Sequence, residues 1–70
     1  MDLELKSNLP ELMEKAQISI RVLADKCGLA VETISRARDE RIASCRLDTL
    51  CRIAQELGCS VDELYSVDFV

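Results

Sequence analysis

At 70 residues the chain holds apolar material for one core and leaves no room for a second domain. Hydrophobic residues make up 49% of it, yet Tyr65 and Phe69 are the only aromatics and there is no Trp, so the core must be aliphatic. Two glycines and one proline supply too few tight turns for a sandwich or barrel, and the formal net charge of −4 excludes a uniformly basic surface; the chain reads as all-α.

Asn8, Pro10 and Glu11 form a helix start: an acceptor for the first free amides, a ring that suits the first turn, and a carboxylate at the positive end of the dipole. The first helix is expected over about Leu9 to Ala16, with Leu9, Leu12, Met13 and Ala16 on one face. Ser19 caps a second helix that turns Leu23, Ala24 and Cys27 inward and stops at Gly28, which is free to take the left-handed conformation. A third helix follows almost at once, from about Val31 to Arg38, with Ile34 and Ala37 inward and Glu32, Ser35, Arg36 and Asp39 outward. A polar loop from Asp39 to Arg46 leads to a fourth, whose stripe is Leu47, Leu50, Cys51, Ile53, Ala54 and Leu57, ending at Gly58. Ser60 and Glu63 are spaced as a capping box that opens a short fifth helix carrying Val61, Leu64 and Tyr65. At the ends, Leu3 and Leu5, and again Val67 and Phe69, alternate with polar residues. Each end therefore suits a short half-buried strand, paired within one chain or across a dimer.

No apolar run approaches the roughly 20 residues of a membrane span. Met1 to Leu5 carries two acids rather than a basic flank, so a soluble, cytoplasmic protein without an export signal of its own is expected. Cys27, Cys45, Cys51 and Cys59 are 18, 6 and 8 positions apart, with no histidine in the chain. That spacing is poor for zinc and points to reduced thiols, with no metal or cofactor. Cys45, in the polar loop, is the exception: a redox-sensitive regulator is a third reading of the chain, with nearby Arg46 as the sole local feature that would activate this thiol. An enzyme is not expected, since no nucleophile has a base at a recognisable spacing and no glycine-rich phosphate loop is present. Nor is a small-molecule ligand.

The stretch LADKCGLAVETISRARDER carries the functional signal. Two helices meeting at a steep angle need a small residue at their closest approach and a glycine to reverse the chain; Ala24 and Gly28 supply these. Leu23, Cys27, Leu29, Ile34 and Ala37 lock the corner to the core and leave the outer face of the third helix free. Such a face can enter a DNA major groove, or it can belong to a well-packed helical corner and nothing more.

From Leu9 to Tyr65 the chain resembles the Cro and lambda-repressor-like helix-turn-helix family, also called the xenobiotic-response-element type. LADKCGLAVETIS and, independently, LDTLCRIAQELGCSVDELY carry the resemblance. It implies a single five-helix domain over residues 1–70 with its helix-turn-helix at 20–39, sequence-specific binding of double-stranded DNA, transcription regulation, and a two-fold homodimer. Position by position, it puts base reading on Val31, Glu32 and Arg36, with Ser35 beside them. A guanidinium such as that of Arg36 can bridge guanine O6 and N7, Val31 can touch a thymine methyl, and Glu32 can accept from cytosine N4 or stabilise the start of its own helix. Thr33 can reach a phosphate. The chain departs from the family's pattern at Ile20, Ala30 and Arg38. The first two replace side chains that would hold phosphates, and Arg38 stands where an acid would pair with the first helix, so a sign-swapped pair with Glu11 or Glu14 is expected.

The charge is unevenly spread: residues 1–15 sum to −2 and 47–70 to −4, leaving +2 in the middle. Arg21, Lys26, Arg36, Arg38, Arg41 and Arg46 fall in that middle. Arg21 and Lys26 on the second helix and Arg41 and Arg46 in the loop are thus the expected DNA-backbone contacts, with Thr33. The end of the chain, from the fifth helix to SVDFV, is the expected dimer surface. The competing reading is a protein-interaction module on the same scaffold, antitoxin-like or a regulatory adaptor, which the net charge and the missing phosphate anchors favour.

Overall fold

The computed structural model describes residues 2–69. Strand β1 (Leu3–Ser7) is followed by helices α1 (Leu9–Ala16), α2 (Ile20–Cys27) and α3 (Val31–Ala37), a 3-10 turn (Glu40–Ser44), helix α4 (Leu47–Leu57), a second 3-10 turn (Val61–Leu64) and strand β2 (Tyr65–Phe69). The first four expected helices are present, with Arg38 as the terminal cap of α3 rather than its last residue. The expected fifth helix is not formed. Its segment makes one 3-10 turn and then extends into β2. The Ser60 hydroxyl donates to Glu63 Oε1 at 3.0 Å and accepts no backbone amide, so the two side chains bond each other in place of the backbone amides that a capping box joins, and the alternation from Tyr65 to Phe69 wins the following residues for a strand.

The termini pair with each other within one chain. β1 and β2 run antiparallel, with Leu3 opposite Phe69, Leu5 opposite Val67 and Ser7 opposite Tyr65. Because side chains alternate along a strand, these six lie on one face of the ribbon, and Glu4, Lys6, Ser66 and Asp68 lie on the other. Glu4 stands directly opposite Asp68, a like-charge pair that weakens this end of the ribbon. The molecule is elongated, 38 × 21 × 16 Å.

Leu9, Leu23, Ile34, Ile53 and Leu64 are fully buried and form the centre of the core, each stabilising the fold by about 1.5–3 kcal/mol. Met13, Ala24, Cys27, Ala37, Ile42, Leu50 and Ala54 surround them. Three members of the expected stripes lie elsewhere: Ala16 and Cys51 are exposed, and Leu47 faces outward from the first turn of α4.

Local chemistry explains most element ends. The Ser19 hydroxyl accepts from the Val22 amide at 3.2 Å and caps α2. Gly28 takes φ +68°, which lets the Leu29 amide reach the Ala24 carbonyl at 2.9 Å and close the corner. Asn8 does not cap α1. The Ser7 hydroxyl accepts from the Leu9 amide instead (3.2 Å), and the Asn8 side chain donates to the Ser66 hydroxyl (3.0 Å) and the Glu63 carbonyl (3.3 Å). Asn8 thus joins the start of α1 to the returning end of the chain.

Candidate nucleic-acid interface

The corner between α2 and α3 determines which side of α3 is free. Ile34 and Ala37 are buried, whereas Val31, Glu32 and Arg36 are exposed and Thr33 and Ser35 are half-buried. All four base-reading candidates therefore lie on or beside the outward face of one short helix. Arg36 Nη2 is 3.3 Å from Glu32 Oε1, one helical turn earlier. This pairing of two candidate readers orients the guanidinium along the helix, and its exposure makes it weak and easily exchanged for another acceptor.

Ala30 adopts an extended N-cap conformation, φ −72° and ψ 149°, without a side-chain bond to the helix. The backbone is that of a capped helix; only the oxygen is missing.

Between α3, the first 3-10 turn and the start of α4 lies a cleft of about 170 Å³, lined by Thr33, Arg36, Ser44, Cys45, Arg46 and Thr49. It brings together one candidate base reader, Arg36, and two candidate backbone contacts, Thr33 and Arg46. Ser44 and Thr49 were not singled out from the sequence, because their approach to α3 depends on how the loop folds. The R-L-D-T stretch at the start of α4 was the available signal, since hydroxyls near a helix start suit an anion. Arg41, Arg21 and Lys26 do not line this cleft. The latter two are exposed on α2 and make no ion pair among the described residues.

The remaining loop arginines are held by carboxylates. Arg41 Nη2 lies 2.9 Å from Asp39 Oδ2, and Arg41 Nε and its backbone amide donate to Asp39 Oδ1 at 3.0 and 2.8 Å. The Arg41 guanidinium, then its amide, hold the Asp39 carboxyl below the usual range, and Asp39 in turn raises Arg41. Arg46 Nε is 3.3 Å from Asp48 Oδ1. Arg36, Arg41 and Arg46 each carry a local counter-charge, which moderates the basic side.

Arg38 makes no ion pair with Glu11 or Glu14 among the described residues. It is half-buried, and its Nε is enclosed without a hydrogen-bond partner. The expected sign-swapped pair is absent.

A family model for the Cro/C1-type helix-turn-helix DNA-binding domain matches residues 8–69, which takes in the corner, the cleft and β2. The chain belongs to that family. As a Cro/C1-type domain it is a DNA-binding regulator, with double-stranded DNA as its partner. Strand β1 lies ahead of the matched span. No curated protein and no solved structure gives a significant match to the chain. Among the described residues, no helix is long and apolar enough to cross a membrane.

The four cysteines are free thiols. Burial, reinforced by Asp39, pushes the Cys45 thiol up despite the opposing charges of Arg36 and Arg41. A thiol kept protonated is a poor nucleophile, which counts against redox sensing at this position.

Proposed function

We propose that this Cro/C1-type domain binds DNA sequence-specifically as a two-fold dimer, each copy laying α3 in the major groove. The observation that carries the reading is the cleft in which the outer face of α3 meets the start of α4, combining Thr33, Arg36, Ser44, Arg46 and Thr49. Val31, Glu32, Ser35 and Arg36 face the base edges. Thr33, Arg46, Ser44 and Thr49 hold the phosphates beside the groove, and Arg21, Lys26 and Arg41 extend the grip along the backbone.

On contact with DNA, phosphates and base acceptors replace Glu32, Asp39 and Asp48 as partners of the arginines. Exposed ion pairs of this kind cost about 0–1 kcal/mol each to exchange. Non-specific affinity is therefore modest, and specificity draws on two half-sites engaged together.

The test is selection of bound sequences from random duplex DNA, for the unaltered chain and for Arg36→Ala. A two-fold symmetric sequence is expected, with preference relaxed at one base pair per half-site in the variant, by about 1–3 kcal/mol. If no sequence is enriched even at low salt, the interaction-module reading takes its place; the uncapped Ala30 and the three paired arginines favour that alternative.

A further inference from the structure

A second, apolar surface adjoins the cleft on the side of the ribbon. A groove of about 290 Å³ opens at the base of the ribbon, lined by Leu5, Ile42, Leu47, Leu50, Val61 and Tyr65 among others, with no charged side chain. Along the same ribbon face, Val67 is 39% exposed, Leu3 53% and Phe69 70%, and Leu47 at the rim is 68% exposed. These four leave on the order of 400 Å² of apolar surface bare, about half of the roughly 800 Å² that each partner buries in a standard interface. Such interfaces are a little over half apolar, so the patch has the composition and extent of one side of a dimer.

We propose that a second copy of this chain covers it, with the Phe69 and Leu3 end of each ribbon entering the groove of the other across a two-fold axis. This rests on the dimer in the reading above and names its surface. An isologous interface requires one patch to hold both the projecting and the receiving parts. Here Phe69 and Leu3 project at one end of the ribbon face, and the groove receives at the other. Reversing one ribbon against another brings each projecting end over the opposite groove.

The charge distribution favours this occupant. Glu4, Lys6 and Asp68 lie on the opposite ribbon face, so two chains of net charge −4 can meet here without facing their acids toward each other. A lipid surface would need a cluster of cations lining the patch, and the groove is lined by no charged side chain. Cys45 lines both the groove and the DNA-side cleft, so the interface adjoins the DNA-binding surface.

Sedimentation equilibrium of the full chain without DNA, from about 1 to 300 µM, tests the proposal. Twice the 7.8 kDa chain mass is expected at the upper end. Phe69→Asp and Leu47→Asp, both at exposed positions, should each raise the dimer dissociation constant by about 30-fold or more with unchanged far-ultraviolet melting, and Lys6→Gln on the other face should leave it unaltered. A monomer throughout, or a dimer indifferent to both aspartates, overturns the proposal. The indifferent dimer would leave the DNA reading intact; a dimer that obeys both variants while no DNA is enriched would support this interface and remove that reading.

Discussion

The Ser7 hydroxyl donates a 2.6 Å hydrogen bond to the carbonyl of Ala37, thirty positions along the chain. Ala37 is the last residue of α3, and the same hydroxyl accepts from the Leu9 amide. One buried oxygen therefore ties the ribbon to the end of the DNA-facing helix and to the start of α1. Replacing Ser7 with Ala leaves a buried carbonyl and an amide unsatisfied together. We expect a loss of about 1–3 kcal/mol of stability, read from urea denaturation; a change below about 0.5 kcal/mol would mean that water or a backbone shift serves as well.

Ala30 already has the dihedral angles of an N-cap, so Ala30→Ser supplies the missing acceptor without moving the backbone. The expected gain is about 0.5–2 kcal/mol. The same hydroxyl can donate to a phosphate, so affinity for DNA should rise for all sequences alike. An unchanged denaturation midpoint would show that the first turn of α3 gains nothing from an acceptor.

These two sites mark where the sequence was legible and where it was not. Ser19, Gly28 and Gly58 end helices where they were expected to, because a cap or a left-handed glycine acts within four residues. Ser7 gave no such indication, and the local cap signal at Asn8 pointed to a bond that its side chain does not make. Their partners, Ala37, Glu63 and Ser66, are distant in sequence, and no local pattern announces them. Residues 60–69 carried two local signals, a capping box at Ser60 and Glu63 and a polar-apolar alternation toward Phe69, and strand pairing with β1 decided how far each extends. At the interface, the outward face of α3 followed from helical spacing, and the Glu32–Arg36 pair has the spacing of a helix-surface ion pair. The cleft did not follow, since Ser44 and Thr49 reach it only through the conformation of the loop.

Glu32 competes with DNA for Arg36. Glu32→Gln removes that competitor and one charge repelled by phosphate, so binding should tighten several-fold at low salt, and less as salt screens the charges. Stability should change by no more than about 0.5 kcal/mol, because the pair is exposed. Fluorescence anisotropy against one duplex over a salt series measures both effects. Weaker binding by the variant would assign Glu32 a direct base contact.

Asp39 gives a pH signature. Its pKa is lowered in the folded chain by the Arg41 guanidinium and amide, so its contribution to folding is fully present above the unfolded pKa. That contribution fades as pH falls through the lower folded value. In a carbon-detected titration the Asp39 carboxyl should protonate below the ordinary aspartate range, and Arg41→Ala should move it back up. Titration of Asp39 in the ordinary range with Arg41 intact would mean that the pair is open in solution.

The register that sets Leu3 against Phe69 also bears on the order of assembly. The α2–α3 corner closes through contacts between near neighbours, whereas the ribbon joins residues 58 to 66 positions apart, the slowest kind of pairing for a chain to find. A chain made from its amino end carries β1 without a partner until β2 emerges from the ribosome. Until then the Ser7 side chain has no ribbon to hold it beneath the end of α3. The DNA-facing helix can be formed early, but its anchorage is completed last, so a chain stalled before Tyr65 would hold the reading surface without the strand that steadies it.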